Sequence, residues 1–346
     1  MKKNRKKLIK IGRRKIGDNQ PTFIIAEVGS NHNRDLKLAK KIIRKISKTG
    51  ADAVKFQSFK ADLLVNKKHR PDAYKLLKNN ELPREWHKPL KKYAERCGLI
   101  FLSTPFDFEA VDLLKRLNVP AYKISSGDIT NIPLIRYIAR VGKPLIISVG
   151  AADDKIIQNA VQAADEEGNN RIVLCQCVVS YPTEYSDANV RVLGFLKQKF
   201  GTLVGYSDHS REDLVPILAI AKGAVIIERH VTLSRSMRGP DHAFALEIGE
   251  LKQMIKNIRK TEKILGEEKK KILSSELGAL FRARRGVYLA KSQKKGHKIS
   301  SKHLCLLRPA KGVSPNMYEG LLGKKLNKTI STLDPIYEKD IVGRVS

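Results

Sequence analysis

Short apolar, β-rich runs alternate along the chain with longer stretches whose apolar residues recur at helical spacing. The runs are FIIAEVG (23–29), AVKFQSF (53–59), IFLSTPF (100–106), AYKISSGD (121–128), PLIISVG (144–150), RIVLCQCVV (171–179), TLVGYSD (202–208) and AVIIERHVT (224–232). Between them, LKLAKKIIRKI sets Leu36, Ala39, Ile42, Ile43 and Ile46 on one stripe of a helix. Ser210, with Asp213 three residues on, reads as a capping-box start for the next helix, and LKQMIKNIRKTEKIL as a closing one. Eight strand–helix units in about 250 residues predict an α/β fold, a TIM (β/α)8 barrel.

An open doubly wound sheet built from the same elements would carry a Gly-rich phosphate loop after its first strand, and none is present. The polar residues of unusual type stand at the carboxyl ends of the runs: Glu27, Lys55, Thr104, Lys123 with Ser126, Ser148, Tyr181, His209, and Glu228 with His230. A barrel brings those ends to one mouth, whereas an open sheet strings them along an edge. Strand parity agrees, since Lys55 and Gln57 share a face, as do Glu228 and His230. After residue 268 the pattern changes to a charged, helix-like connector and then to short strands punctuated by Gly and Pro. The predicted organisation is a barrel over 1–268, whose first 20 residues are a basic extension and barrel-capping segment, a linker over 269–284, and a small β-rich domain over 285–346.

Composition excludes more than it identifies. Hydrophobic residues are 42% of the chain and nowhere run to the eighteen or more a membrane-spanning helix needs. The basic start lacks the apolar core of a secretion signal, so a cytoplasmic protein with no membrane partner is expected. Cys97, Cys175, Cys177 and Cys305 show no CxxC spacing and read as reduced thiols; Cys175 and Cys177 share a strand face as packing residues. Lys and Arg number 67 against 35 Asp and Glu, a formal charge of +32 that raises the question of nucleic acid. The basic residues outside the N-terminal cluster read as interleaved with acids, and no aromatic platform, finger or RRM signature accompanies them. Nucleic acid is therefore not expected as a partner, while a positive field would draw in anionic substrates.

Seven segments, IIAEVGSNHN, ADAVKFQSF, STPFD, YKISSGD, VGYSDH, VIIERHVTL and GPDHAFAL, stand in the order found in the sialic acid synthase family, which the chain resembles over nearly all its length. RRGVYLAKSQKKGHKIS and RPAKGVSP resemble the antifreeze-like (SAF) domain these synthases carry. The resemblance implies a TIM barrel joined to an SAF domain, in a domain-swapped homodimer whose small domain closes the partner's barrel mouth. It implies condensation of phosphoenolpyruvate with open-chain N-acetylmannosamine or a close N-acetylated amino sugar, with release of phosphate.

That chemistry needs an electrophilic aldehyde, a held anionic nucleophile and a water. His209 and His230 lie at the ends of neighbouring strands, where two imidazoles can hold a divalent metal, Mn2+ with Mg2+ or Co2+ as alternatives, or be two separately bonded histidines. Both positions match the family's metal ligands. Lys55 and Lys123 would point into the mouth, where converging lysines call for a carboxylate or phosphate, and the pair matches the family's phosphoenolpyruvate site. Thr104, Ser126 and Ser148 would add hydroxyl donors. By resemblance Glu27, Tyr181 and Asp241 face the sugar, Glu228 lies near the reacting atoms as a proton shuttle with Glu27 as its catalytic companion, and Arg308 enters the neighbouring subunit's site. Asp128 faces a hydroxyl or caps the following helix, His32 reads as a loop residue, His242 as sugar-facing or structural, and Asp208 as structural.

Four places depart from the family pattern: NHNR with Arg34 where glycine is usual, SVGA, QCVVSYPT, and AFAL after GPDH. Val149, Ala151, Val178 and Val179 thus replace polar or larger groups, which points to an altered sugar pocket. The alternatives within the family are a legionaminic or pseudaminic acid synthase, a sialic acid 9-phosphate synthase and a spore-coat polysaccharide synthase. Outside it stand a Schiff-base pyruvate aldolase acting through Lys55 or Lys123, and a basic, non-catalytic module bound to RNA or another anionic polymer.

Overall fold

A computed structural model describes residues 5–344. The chain divides into two compact units, Met1–Gly266 and Glu267–Ser346. In the first, eight parallel strands run β3 (Phe23–Glu27), β4 (Ala53–Ser58), β5 (Ile100–Pro105), β6 (Tyr122–Ile124), β7 (Leu145–Ser148), β8 (Ile172–Cys177), β9 (Leu203–Asp208) and β10 (Ile226–Thr232). Their order, β5-β4-β3-β10-β9-β8-β7-β6, brings β5 back against β6 without a continuous ladder, so the ring is a near-closed TIM-type barrel. A two-residue strand β11 (Leu246–Glu247) extends the rim of β10. The helices α1 (Leu36–Ile46), α2 (Ala61–Leu64), α3 (Pro71–Asn80), α4 (His87–Arg96), α5 (Phe108–Arg116), α6 (Ile132–Arg140), α7 (Asp154–Glu166), α8 (Val192–Phe200), α9 (Leu214–Ala221) and α10 (Ile248–Leu265) form the crossovers and outer layer.

Side-chain parity sorts the core into two clusters. Outward residues such as Ile24, Val54, Phe101, Tyr122, Leu174 and Ile227 pack under the helices, each large aliphatic contributing about 1.5–3 kcal/mol by leaving water. Inward residues at the amino ends, Phe23, Ile25, Ala53, Leu102, Ile146, Val173 and Leu203 among them, fill the barrel's lower half. The N-terminal segment completes that inner cluster. The hairpin β1 (Leu8–Ile11) and β2 (Arg14–Gly17) turns Ile9, Ile11 and Ile16 onto the barrel floor. It is pinned there by ion pairs from Arg14 to Asp52 and from Arg5 to Asp165.

Helix starts follow local chemistry at Asp35, Asp107, Asn131 and Asp153, whose side chains accept backbone N–H groups of the first turn. The predicted start at Ser210 is corrected. Ser210 turns instead to Asp208, while the Asp213 carboxylate at the start of α9 accepts from Asn257 of α10 at 2.6 Å and caps nothing. A tertiary partner has outcompeted the local cap. Asp128 is not the cap of α6 either; Asn131 is, and Asp128 accepts from the Ser125 hydroxyl at 2.6 Å.

In the second unit, after helix α11 (Leu277–Arg282), strands β12 (Gly286–Leu289) and β13 (Leu304–Leu307) pair antiparallel, with isolated bridges and helix α12 (Tyr318–Leu321) around them. Val287, Leu289, Ile299, Leu321, Leu326 and Ile336 form its own small core. Gly286 is required there, because a Cβ would sit 1.9 Å from the carbonyl oxygen of Lys311.

Candidate active site

Two residues above the inward apolar layer, the same strand faces turn polar. Glu27, Lys55, Thr104, Lys123, Ser148, Cys177, Ser207 and Glu228 ring a cavity of about 240 Å³ at the carboxyl end of the barrel, with Ser126, Tyr181, His209 and His230 above them. Glu228 is the hub. Its Oε1 stands 3.7 Å from both the Lys55 and the Lys123 Nζ and accepts from the Ser207 hydroxyl at 3.0 Å. Lys55 also pairs with Glu27 at 2.6 Å and donates to Thr104 at 3.1 Å, while Lys123 donates to Ser148 at 2.6 Å. Gln57 donates to Glu27 at 3.2 Å.

This buried charge cluster divides its two carboxylates. Burial pushes the Glu27 carboxyl up, and the opposing Lys55 does not bring it back. Burial acts on Glu228 too, but Lys123 and Lys55 outweigh it and hold that group below the ordinary carboxylate range. Burial opposes the charge on Lys55, yet Glu228 and Glu27 more than restore it. Paired carboxyls with opposite tendencies are suited to separate acid and base duties.

Above the lysines, the His209 and His230 rings lie 5.5 Å apart between centroids. His209 donates Nδ1–H to the Val178 carbonyl at 2.9 Å, which leaves its Nε2 with a free lone pair. His230 Nδ1 is buried without a hydrogen-bond partner, 3.8 Å from Asp241. Burial pushes His209 down to about 4 and lowers His230 as well, so both imidazoles are neutral near pH 7. Two neutral rings, one with its tautomer fixed from behind, fit a cation site with positions left open. Among the described residues no group of three or more His, Cys, Asp or Glu is placed to hold a metal ion.

Asp241 stands behind His230 rather than on the cavity wall, accepting the Ser30 N–H at 2.8 Å. Gly29, at φ 53°, makes room for it: a Cβ there would meet the Asp241 carboxylate at 2.4 Å and the His230 ring at 3.0 Å. His242 is structural, bridging Thr232 at 2.6 Å and Asn33 at 3.1 Å, and His32 lies in the turn between β3 and α1, buried there. Asp128 does not reach the cavity. Arg308 is exposed in the second unit, before a cis bond to Pro309. Asp208 is structural, paired with the buried Arg229.

Of the four valine and alanine positions, only Val179 lines the cavity. Val149 belongs to the helix-facing core, Ala151 is exposed in a left-handed conformation, and Val178 contributes its carbonyl to His209. The inference that all four valine and alanine positions reshape the pocket is thus corrected to one. Arg34, where glycine is usual, keeps the left-handed φ of 52° that glycine would favour. Sequence reading passed over Ser207, although it lies two residues before His209 on the same strand face. It named AFAL as a departure but gave no role to Phe244, whose ring centroid lies 5.0 Å from those of both Tyr181 and His230, tilted to one and edge-on to the other, in an irregular loop that no periodicity could place.

A near-closed parallel barrel with a charged, hydroxyl-rich ring at its carboxyl end is the architecture of a barrel enzyme. The chain belongs to the NeuB family, whose model matches residues 42–270. It is 42% identical over 97% of its length to an uncharacterized protein of Methanocaldococcus jannaschii, covering 99% of that protein. It is 39% identical to the N,N'-diacetyllegionaminic acid synthase of Legionella pneumophila, over 91% of this chain and 93% of that one. The crystal structure of N-acetylneuraminic acid synthetase from Leptospira borgpetersenii, in complex with citrate, is similar with a TM-score of 0.74 and 36% identity, covering 79% of this chain and 95% of that one. Among the described residues no helix is long and apolar enough to cross a membrane.

Proposed function

We propose that the protein condenses phosphoenolpyruvate with the open-chain aldehyde of an N-acetylated amino sugar, giving a nine-carbon 2-keto acid and phosphate. The observation that carries this reading is the Lys55–Glu228–Lys123 arrangement beneath an imidazole pair, in one cavity with hydroxyls on both sides. Lys55 and Lys123, with Thr104, Ser126 and Ser148, would hold the carboxylate and phosphate of phosphoenolpyruvate, exchanging part of their contact with Glu228 for the ligand. C3 then forms the new bond to the aldehyde carbon, and the aldehyde oxygen takes up a proton. Water adds to C2, and the C2–oxygen bond to phosphate breaks. Glu27, the carboxyl raised by burial, is the proton donor; Glu228, held ionised by the lysines, receives the proton of the water.

His209 and His230 would hold a divalent ion, Mn2+ on the family resemblance, and such an ion would supply polarisation of a carbonyl oxygen. Asp241 lies 3.8 Å behind the His230 ring, held by the Ser30 N–H, and Tyr181 offers its ring and hydroxyl to the sugar. We assign Arg308 and residues 285–346 to an SAF domain that serves a partner subunit's site in a homodimer, on the strength of the RPAKG resemblance.

An unphosphorylated acceptor fits best. Among the described residues lining the cavity, Lys55 and Lys123 are the only cationic side chains of Lys or Arg, and both already face carboxylates. N-acetylmannosamine is the simplest such sugar. The apolar Val179 at the rim, with the likeness to a diacetyllegionaminic acid synthase, favours a di-N-acetylated deoxy sugar as the second reading.

The test is phosphate release from phosphoenolpyruvate over a panel of mono- and di-N-acetylated mannose-type sugars and a 6-phosphorylated one, with the product identified by mass. Release with a non-phosphorylated sugar supports the proposal. No release with any sugar, or a borohydride-trapped pyruvate adduct on Lys55 or Lys123, would overturn it in favour of Schiff-base chemistry.

A further inference from the structure

The outer layer of the barrel is unevenly charged. Helix α1 carries Lys37, Lys40, Lys41, Arg44 and Lys45 and no acid. Its neighbour α4 carries Lys88, Lys91, Lys92 and Arg96 against one acid, Glu95. Nine cations to one acid on two adjacent helices is far steeper than the 67 to 35 of the whole chain. Across the ring α7 reverses the balance, with Asp154, Asp165 and Glu166 against Lys155. In sequence the basic residues read as interleaved with acids; on the adjacent helices α1 and α4 they are not.

These charges are not absorbed by ion pairs. Among the described residues, none of the five α1 cations lies in a salt bridge, and on α4 only Lys91 does, with Glu95. An ion-pair network of the kind that raises heat stability is therefore not what the face provides. Tyr93 lies between Lys40 Nζ, 6.0 Å from its ring centroid, and the Arg96 guanidinium at 5.6 Å. From Lys91 the face continues into a groove of about 430 Å³ at the amino end of the barrel, where Arg13 and Lys143 join the lining. No large apolar side chain is exposed on either helix, so nothing offers insertion into a bilayer. Residues four apart on α1 present cations at steps of about 6 Å, a row suited to successive backbone charges of a polyanion.

We infer that the α1–α4 face is a docking surface for the phosphate backbone of nucleic acid, bound without sequence preference. The residues offer charge and no base-reading elements, which is the composition of backbone-only binding.

The experiment uses the full chain and fluorescein-labelled RNA and duplex DNA of about 20 nucleotides, followed by anisotropy between about 50 and 200 mM salt. The expected result is saturable binding whose log affinity falls linearly with log salt. The variant K41E/R44E/K45E/K92E, all at exposed positions, weakens binding about tenfold or more and flattens the salt slope. The same four positions changed to Gln move affinity in the same direction by less, which guards against a folding cost of charge reversal. A control of equal charge on exposed lysines of the second unit, K291E/K294E/K295E/K302E, stays within about twofold. Equal loss in both quadruple reversals would mean diffuse net charge rather than a face, and overturns the inference. Binding to phosphatidylserine-containing vesicles with none to either oligonucleotide overturns it too.

Discussion

Asp208 and Arg229 form an ion pair sealed between strand and helix layers, and each directly precedes one of the two cavity histidines. They are ladder partners on β9 and β10, the guanidinium is almost fully buried, and Ser210 adds a hydrogen bond from the same side. Breaking a buried pair leaves an uncompensated charge, so Asp208→Ala is expected to lose about 3–5 kcal/mol in urea denaturation. The double change Asp208→Leu/Arg229→Met should recover most of that loss. A double variant as unstable as the single would show that the charge is not what the site penalises.

Lys123 faces one carboxylate where Lys55 faces two, and its removal leaves Glu228 with one facing amine. Lys123→Met is predicted to lower kcat/KM for phosphoenolpyruvate by about 10²–10³-fold, the range for losing one preorganised electrostatic contact. Lys55→Met should cost more and also destabilise the fold, because Glu27 and Glu228 both lose a partner. Steady-state phosphate release with thermal melts reads both effects, and near-equal kcat/KM for Lys123→Met and the parent chain would contradict the assignment.

The imidazole pair gives a prediction with a readout separate from turnover. Equilibrium dialysis should show one bound Mn2+ per chain in the parent protein and at least a tenfold weaker site in His209→Ala and in His230→Ala, about the loss expected for a missing ligand contact. Circular dichroism should be unchanged, since neither ring supports the apolar core. Chelation should abolish phosphate release and Mn2+ restore it. A chelator-treated protein that keeps full activity would remove the ion from the mechanism.

His87 offers a pH signature away from the cavity. It is buried between α4 and the strands, its Nε2 bonded to Ser58 at 2.6 Å, and burial pushes it from 6.5 down to about 4. With the folded value below the unfolded one, the unfolded chain binds more protons between those limits, and stability falls as pH drops from about 6.5 toward 4. The loss traceable to His87 is on the order of 3 kcal/mol at the bottom of that window. Denaturation midpoints measured across it should be flatter for His87→Gln than for the parent. Parallel curves would assign the acid sensitivity elsewhere.

Gly29 predicts a steric result. Alanine there pushes a methyl group against Asp241 and the His230 ring, in a backbone conformation L-residues rarely adopt. Gly29→Ala should cost about 1–3 kcal/mol of stability and at least tenfold in phosphate release. Retained activity would mean that the loop yields without disturbing His230.

Much of this arrangement was legible in the sequence because barrels obey two strict periodicities. Lys55 and Gln57, or Glu228 and His230, share a strand face whatever surrounds them, and the carboxyl ends of parallel strands in a closed ring have one place to meet. What escaped lies where competition is tertiary. Ser210 and Asp213 fit a capping box until Asp208 and Asn257 claimed them, and Phe244 sits in a loop with no period. The N-terminal hairpin did carry a signal, since Ile9 and Ile11 alternate with Lys10. The first 20 residues read as a basic, barrel-capping segment, but the density of lysines hid that it is a hairpin with its isoleucines turned to the barrel floor. The same masking hid the grouping of cations on α1 and α4, because a helix neighbour in space is invisible in a list of charges.

The isoleucine-filled floor has a kinetic corollary. A vessel stoppered at one end can be filled only through its neck, and on β10 the Glu228 level lies two residues, roughly 7 Å, beneath the His230 level. Whatever rests against the lysines must arrive before anything seated at the histidines and leave after it, so initial-rate and product-inhibition patterns should be those of compulsory-order addition, with phosphoenolpyruvate first.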